Sequence, residues 1–203
     1  MGILFLSLTF IYQSKIQTIV IAQLLFLLFF PACMGILRQV IWSSELTHQL
    51  LAFGTFLFCI EQANMANQDL QKVADVKEKN PDVRVENFQK ITIITIIIEL
   101  MGFYLSSIWL GWGFILILLG LIFFNLFANI QIHNSNAKTI HNWGITARLP
   151  ILIADTLALL LVNLWMLKIG DFWISWILFA MPLVYCSIKV FLFFKSFNLV
   201  RGL

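Results

Sequence analysis

Three acidic residues lie inside long apolar stretches of the sequence: Glu61, Glu99 and Asp155. An ionisable side chain in a membrane-spanning helix costs roughly 2.5–3.5 kcal/mol on insertion scales, so it usually faces a bundle interior or a water-filled cavity. A carboxyl group in such a place can bind a proton or a cation, or act as a general acid or base. These residues are therefore the first candidates for a functional site.

Polar neighbours accompany two of these acids at helical spacing. Glu99 belongs to a stripe whose members are three or four residues apart: Thr92, Thr95, Glu99, Gly102 and Ser106. Such steps place side chains on one face of a helix. Glu61 shares a face with Asn64 in the same way. The pattern predicts polar faces that point away from lipid.

The remaining candidates follow in two further apolar stretches. Asn125, Asn129 and His133 are four residues apart and predict one face of a helix. Arg148 lies two helical turns before Asp155, where a structural ion pair is one interpretation. Asparagine side chains also bond neighbouring helices in membranes, at about 0.6 kcal/mol each. Packing is therefore the alternative to a binding role for the asparagines.

These side chains need membrane-spanning helices to position them. The 203-residue chain is 61% apolar and 11% charged, whereas soluble domains are about 45–50% apolar and about 25% charged. Segments that can cross about 30 Å of hydrocarbon are 16–37, 46–66, 90–110, 112–132, 149–167 and 172–194. We expect an all-α polytopic integral membrane protein with six transmembrane helices. Residues 1–12 fit either a surface-lying or an inserted segment.

A charged segment, 69–89, follows the second span. Leu70, Val73 and Val76 recur at three-residue spacing, so we expect the second helix to continue beyond the membrane until Asn80-Pro81 ends it. A solvated loop is the alternative. As a helix, residues 69–80 would offer a surface for a membrane-complex partner.

The distribution of basic residues orients the six spans. All of them except Arg38 and Lys168 lie on the side of the two termini. The positive-inside rule then places both termini in the cytoplasm, with the chain in a plasma (inner) membrane or an internal energy-transducing membrane. Every tryptophan except Trp143 falls at the opposite interface, as in half of an aromatic belt.

Several function classes have no signature in the sequence. The GxSxG, HExxH, P-loop and GxGxxG motifs are absent. The three cysteines and three histidines show no metal-ligand spacing, so we expect no metal and no cofactor. Residues 69–90 hold as many acidic as basic side chains, which argues against nucleic-acid binding.

The favoured hypothesis is a small carrier or permease with a polar cavity that opens to the cytoplasm. Glu99, Asp155 and Glu61 would bind a cation or a proton. The path would be lined by the remaining polar candidates: Asn64, Asn125, Asn129, His133 and Arg148. A homo-oligomer or a mobile gate would be needed in so short a chain.

Two alternatives belong to other classes. A non-catalytic subunit or assembly factor would use its polar stripes as packing contacts and dock a partner through 69–80. A membrane enzyme acting on a lipid or isoprenoid head group would use Glu61 or Asp155 as the acid or base, with His133 and Arg148 as head-group contacts. We regard an enzyme as the weakest of these hypotheses.

Overall fold

The computed structural model describes residues 23–24, 27–79, 82–133 and 139–201, which form six helices and a two-stranded hairpin. In chain order they are α1 Leu27–Trp42, α2 Leu46–Lys79, α3 Val83–Ser106, α4 Leu110–Phe127, β1 Ile130–His133, β2 Thr139–Asn142, α5 Ile145–Met166 and α6 Asp171–Arg201. Residues 1–12 and the beginning of the first expected span, 16–22, lie outside the described part.

Four helices are long and apolar enough to cross a membrane: α3, α4, α5 and the part of α6 from Asp171 to Leu192. Helix α1 is apolar but shorter in the described part. Helix α2 is long, and its apolar first half gives way to the polar segment that starts at Glu61. The expected all-helical, membrane-compatible architecture is confirmed at this level.

Helices α2 to α6 form a closed ring in which each helix packs against the next and α6 returns to α2. Helix α1 lies outside this ring, against α2 and α3. The Phe29 ring contacts the Phe103 ring with 5.7 Å between centroids, and Cys33 Sγ lies 2.9 Å from Cys59 Sγ. Both cysteines are buried. The ring encloses the space that Glu61 and Asp155 line.

Helices α3 and α4 make the closest approach in the ring. A Cβ atom on Gly113 would lie 2.1 Å from the backbone nitrogen of Ser106 and 2.5 Å from the carbonyl oxygen of Gly102. Only glycine fits there, as is common where membrane helices pack backbone to backbone. The polar stripe of α3 therefore faces α4, and its members Gly102 and Ser106 serve packing.

The fourth expected span was wrong at its end, because α4 stops at Phe127 and residues 130–133 form β1. Ile130 and Ile132 alternate with polar residues, the two-residue period of a strand rather than of a helix. β1 pairs antiparallel with β2, and Ile130 lies opposite Asn142. The expected helical face of Asn125, Asn129 and His133 is therefore wrong: only Asn125 lies on a helix.

The charged segment 69–89 is mainly helical in its described residues. Helix α2 continues to Lys79 as predicted, and α3 begins at Val83 rather than at Lys90. Asp82 caps α3, since its carboxylate accepts a 2.8 Å hydrogen bond from the backbone N–H of Arg84. The fifth helix also begins earlier than expected, at Ile145.

A separate apolar cluster holds the end of α2 against the beginning of α3. Val73 and Val76 from α2 are buried against Val85 and Phe88 from α3 and Ile130 from β1. The apolar side of the helical extension is therefore covered by the chain itself. Its other side carries exposed polar residues.

Candidate functional site

Glu99 is buried between α3 and α4, with 3% of its surface exposed. It faces Gly120, where a Cβ atom would lie 3.2 Å from Glu99 Cγ. Among the described residues, no side chain hydrogen-bonds or forms an ion pair with its carboxyl group. A buried carboxyl group with no protein partner is costly unless a proton or a bound species neutralises it.

A small pocket adjoins this carboxyl group. Its volume is about 60 Å³, and Gln62, Asp69, Thr92, Thr95 and Glu99 supply its polar lining. The buried hydroxyl of Thr95 has no hydrogen-bond partner among the described residues, whereas Thr92 Oγ1 donates to the carbonyl of Phe88. A water molecule needs roughly 10–15 Å³ of such space, so the pocket can hold a few.

Asp155 lies on α5 and is partly buried. Its Oδ2 accepts a 3.0 Å hydrogen bond from Asn125 Nδ2, and the same amide nitrogen lies 3.0 Å from the Leu121 carbonyl oxygen. No other side chain of the described chain bonds to this carboxylate. Asn125 therefore orients Asp155 without neutralising it.

Asp155 borders a larger cavity of about 280 Å³ between α2, α4, α5 and α6. The lining is mainly apolar: Phe58, Met65, Phe114, Leu118, Leu121, Ala154, Ala158, Leu178, Met181 and Pro182. Its polar members are Glu61, Gln62, Asp155 and Tyr185. The cavity thus combines apolar walls with a few placed polar groups, the usual make-up of a small-molecule site.

Glu61 forms an ion pair with Lys189 of α6. Glu61 is largely buried, and the Lys189 ammonium also lies 5.0 Å from the centre of the Tyr185 ring. The pairing joins α2 to α6 and neutralises the carboxylate. Lys189 was not among the candidates chosen from the sequence. The available indication was its four-residue spacing from Tyr185, which places the two side chains on one face of a helix.

Arg148 does not pair with Asp155, which corrects the expected ion pair. The guanidinium is buried, and its Nη1 donates to the carbonyl oxygens of Asn125 at 2.7 Å and Ala128 at 2.8 Å. Its Nη2 donates to Asn129 Oδ1 at 3.2 Å. A cation at the carboxyl end of a helix satisfies unpaired carbonyls and complements the helix dipole. Arg148 therefore terminates α4.

The other candidates lie outside both cavities. Asn64 is exposed on α2 and accepts a hydrogen bond from Gln68. Asn129 is exposed beyond the end of α4, and His133 belongs to β1, where it pairs with Thr139. The structure thus brings together Glu61, Glu99, Asp155 and Asn125, but not these three.

Within the described ranges, no group of three or more histidine, cysteine, aspartate or glutamate side chains is placed to hold a metal ion.

No protein-family model, curated protein or solved structure matches this chain significantly.

Gln62, Met65 and Leu121 line both cavities. They form a thin partition between the pocket of Glu99 and the chamber of Asp155. Both acids also contact α4, Glu99 at Gly120 and Asp155 at Asn125. The two acids thus lie in adjacent cavities that share three lining side chains.

Proposed function

We propose that the protein is a small membrane carrier whose substrate site is the 280 Å³ cavity and whose ion-binding acid is Asp155. The single observation that supports this most is a carboxylate on the wall of an apolar cavity inside the helix ring, which Asn125 orients and which pairs with no cationic side chain of the described residues. Intramembrane acids in such positions serve substrate or ion pathways.

The carrier would have six spans with both termini in the cytoplasm, in a plasma (inner) membrane or an internal energy-transducing membrane. The bias of the basic residues and the tryptophans supports this orientation. Helix α2 would span despite Glu61, because Glu61 faces the ring interior and is paired with Lys189.

Glu99 would supply the coupling step. Its carboxyl group lies behind the partition of Gln62, Met65 and Leu121, and no charged group of the described chain pairs with it. A proton on Glu99 would offset the cost of burying the charge. Transfer of that proton toward Asp155 would then move protons through the site, whether or not substrate is bound.

Proteoliposomes test this proposal with the proton itself as the probe. The membrane potential is clamped with potassium and valinomycin, a pH step is applied, and internal pH is followed with a trapped dye. We expect the wild-type chain to dissipate the pH step, and Asp155→Asn or Glu99→Gln to abolish the flux. Thr156→Val, an exposed change beside Asp155, should leave it intact. Equal flux in all variants would contradict the proposal.

A non-catalytic subunit or assembly factor is the second candidate. In the apolar windows of α5 and α6 only 17% of residues are buried within the chain, compared with 39% in α3 and 44% in α4. These faces suit lipid or a protein partner, including a second copy of the chain. Docking through 69–80 would use only its polar side, because Val73 and Val76 are buried. A monomer in native-membrane nanodiscs would count against this candidate.

The lipid-enzyme alternative has less support. Its head-group contact, Arg148, is committed to the carbonyl oxygens that end α4.

A further inference from the structure

We infer that the 280 Å³ cavity binds a small hydrophobic organic cation, with its charged end at Asp155 and its apolar body against Phe58 and Phe114. This inference names the substrate class of the proposed carrier and rests on that proposal for the role of the cavity. The walls, the charge balance and the size of the cavity support it independently of one another.

The walls disfavour strongly hydrated ligands. Most lining side chains are aliphatic or aromatic, and only four are polar. A sugar or an inorganic ion would lose hydrogen bonds to water that these walls cannot replace. An apolar ligand body gains about 25 cal/mol for each Å² that it removes from water.

The charge balance of the cavity favours a cation. Of its two carboxylates, Glu61 is neutralised by Lys189, whereas the one described side chain that bonds Asp155 is the neutral amide of Asn125. The guanidinium of Arg148 bonds to the end of α4 instead. Within the described part of the chain, one negative charge on the wall therefore has no cationic partner, and a ligand that brings one positive charge complements it.

Aromatic rings form part of the apolar wall. Phe58 and Phe114 line the cavity, and their rings meet nearly edge to face with 6.5 Å between centroids. These rings offer apolar surface to the body of a ligand whose charged end lies at Asp155.

The volume limits the size of the ligand. Ligand pockets usually measure about 300–1,000 Å³, so this cavity is at the small end. A water molecule needs roughly 10–15 Å³ of such space, so the cavity can hold a ligand of up to roughly twenty non-hydrogen atoms. An aromatic or branched aliphatic amine fits within this limit.

A matched pair of probes tests the inference. Benzyltrimethylammonium carries a permanent charge, and neopentylbenzene has the same shape without it. Binding of each to the purified full chain in nanodiscs is measured by calorimetry, with no ion gradient present. We expect the cation to bind at least about tenfold more tightly than the neutral probe, because burial beside a carboxylate is worth more than about 1.4 kcal/mol.

Variants assign this preference to one carboxylate. Asp155→Asn should reduce the ratio of the two affinities to about one, and Asp155→Glu should restore part of it. Thr156→Val should leave the ratio unchanged. Size-exclusion elution identical to wild type shows that each variant is folded.

Equal binding of the two probes to the wild-type chain, or binding of neither, would overturn the inference without recourse to any variant. A cation preference that survives in Asp155→Asn would overturn it as well. The proposed carrier function fails separately: cation binding without proton flux would retain the ligand class and reject transport, whereas flux without cation binding would do the reverse.

Discussion

Arg148 and Asn125 are joined by a 2.7 Å hydrogen bond from the guanidinium to the backbone carbonyl, while the Asn125 side chain bonds to Asp155. The last turn of α4 therefore contacts Arg148 through its backbone and Asp155 through the side chain of Asn125. A change at the end of α4 should therefore shift Asn125 and, with it, the position of the Asp155 carboxylate in the cavity.

The Arg148→Met variant tests whether Arg148 stabilises the end of α4. It leaves the carbonyls of Asn125 and Ala128 without their donors inside a packed region. Bonds to charged groups contribute about 1.5–3 kcal/mol each, so we expect a loss of about 3 kcal/mol in the free energy of unfolding, measured by denaturant titration in detergent micelles.

The control for that loss is Arg38→Met. Arg38 is exposed on α1, and its guanidinium lies over the Trp42 ring at 5.2 Å. Loss of an exposed cation–π contact should cost about 1 kcal/mol or less. Equal losses in the two variants would show that Arg148 does not cap α4.

Gly113→Ala should destabilise the contact between α3 and α4. The new Cβ atom would overlap the backbone of Ser106, which cannot move without separating the helices. Overpacking typically costs 1–3 kcal/mol, and we expect about 3 kcal/mol here, measured by the same titration. The matched change Gly144→Ala meets only Thr146 Oγ1 at 3.8 Å and should cost a few tenths of a kcal/mol. Similar costs at both sites would contradict the close packing.

Cys33 and Cys59 should cross-link on oxidation. In a Cys186→Ala variant, iodine should convert the two thiols to a disulfide, removing two protons and two electrons from the sulfurs and releasing iodide. The 2.9 Å contact of their sulfurs allows this with little movement. Protection from alkylation in denaturant and a mass lower by two hydrogens report the bond. The pair Cys33 and Cys186, left in a Cys59→Ala variant, is the control and should stay reduced.

The capping carboxylate of Asp82 should make stability depend on pH. Hydrogen bonds from the Arg84 side chain, and then from the Arg84 backbone N–H, hold the pKa of Asp82 below its ordinary value. Because the folded pKa is depressed, this contribution is present above the unfolded pKa, about 3.9, and is lost as pH falls through the folded value.

Thermal unfolding of wild type and Asp82→Asn, from about pH 7 to about pH 2, measures this contribution. The stability difference between them should be constant near neutrality and shrink at acid pH. A difference that grows on acidification would show that the depressed pKa is incorrect.

The sequence predicted the polar stripe of α3 well, because its three- and four-residue steps persist through an uninterrupted helix. The same rule failed at Asn125, Asn129 and His133. Ile130 and Ile132 are apolar enough to extend a span, and the alternation that marks a strand covers only four residues. A short alternating pattern next to a long apolar segment is therefore easily assigned to that segment.

The hydrogen-bond and ion-pair partners of the candidate acids could not be predicted from the spacing of nearby residues. Glu61 and Lys189 are 128 residues apart, and Asn125 and Asp155 are 30 apart. Helical periodicity assigns a residue to a face, but not to the neighbour that the face meets. The Arg148–Asp155 spacing suggested a pair within α5, yet long-range packing directed Arg148 to the end of α4.

The closure of the ring by α2 and α6 has a consequence for how the protein is made. The hairpin of α3 and α4 joins neighbouring segments and can form as soon as both are inserted. The contact between α2 and α6 spans most of the sequence, and such contacts form late because the intervening chain must first be ordered. During synthesis, Glu61 would have no ion-pair partner until α6, which carries Lys189, has been made and inserted. We therefore expect the cavity to assemble after the α3–α4 hairpin, and insertion defects in α6 should remove the site before they disturb that hairpin.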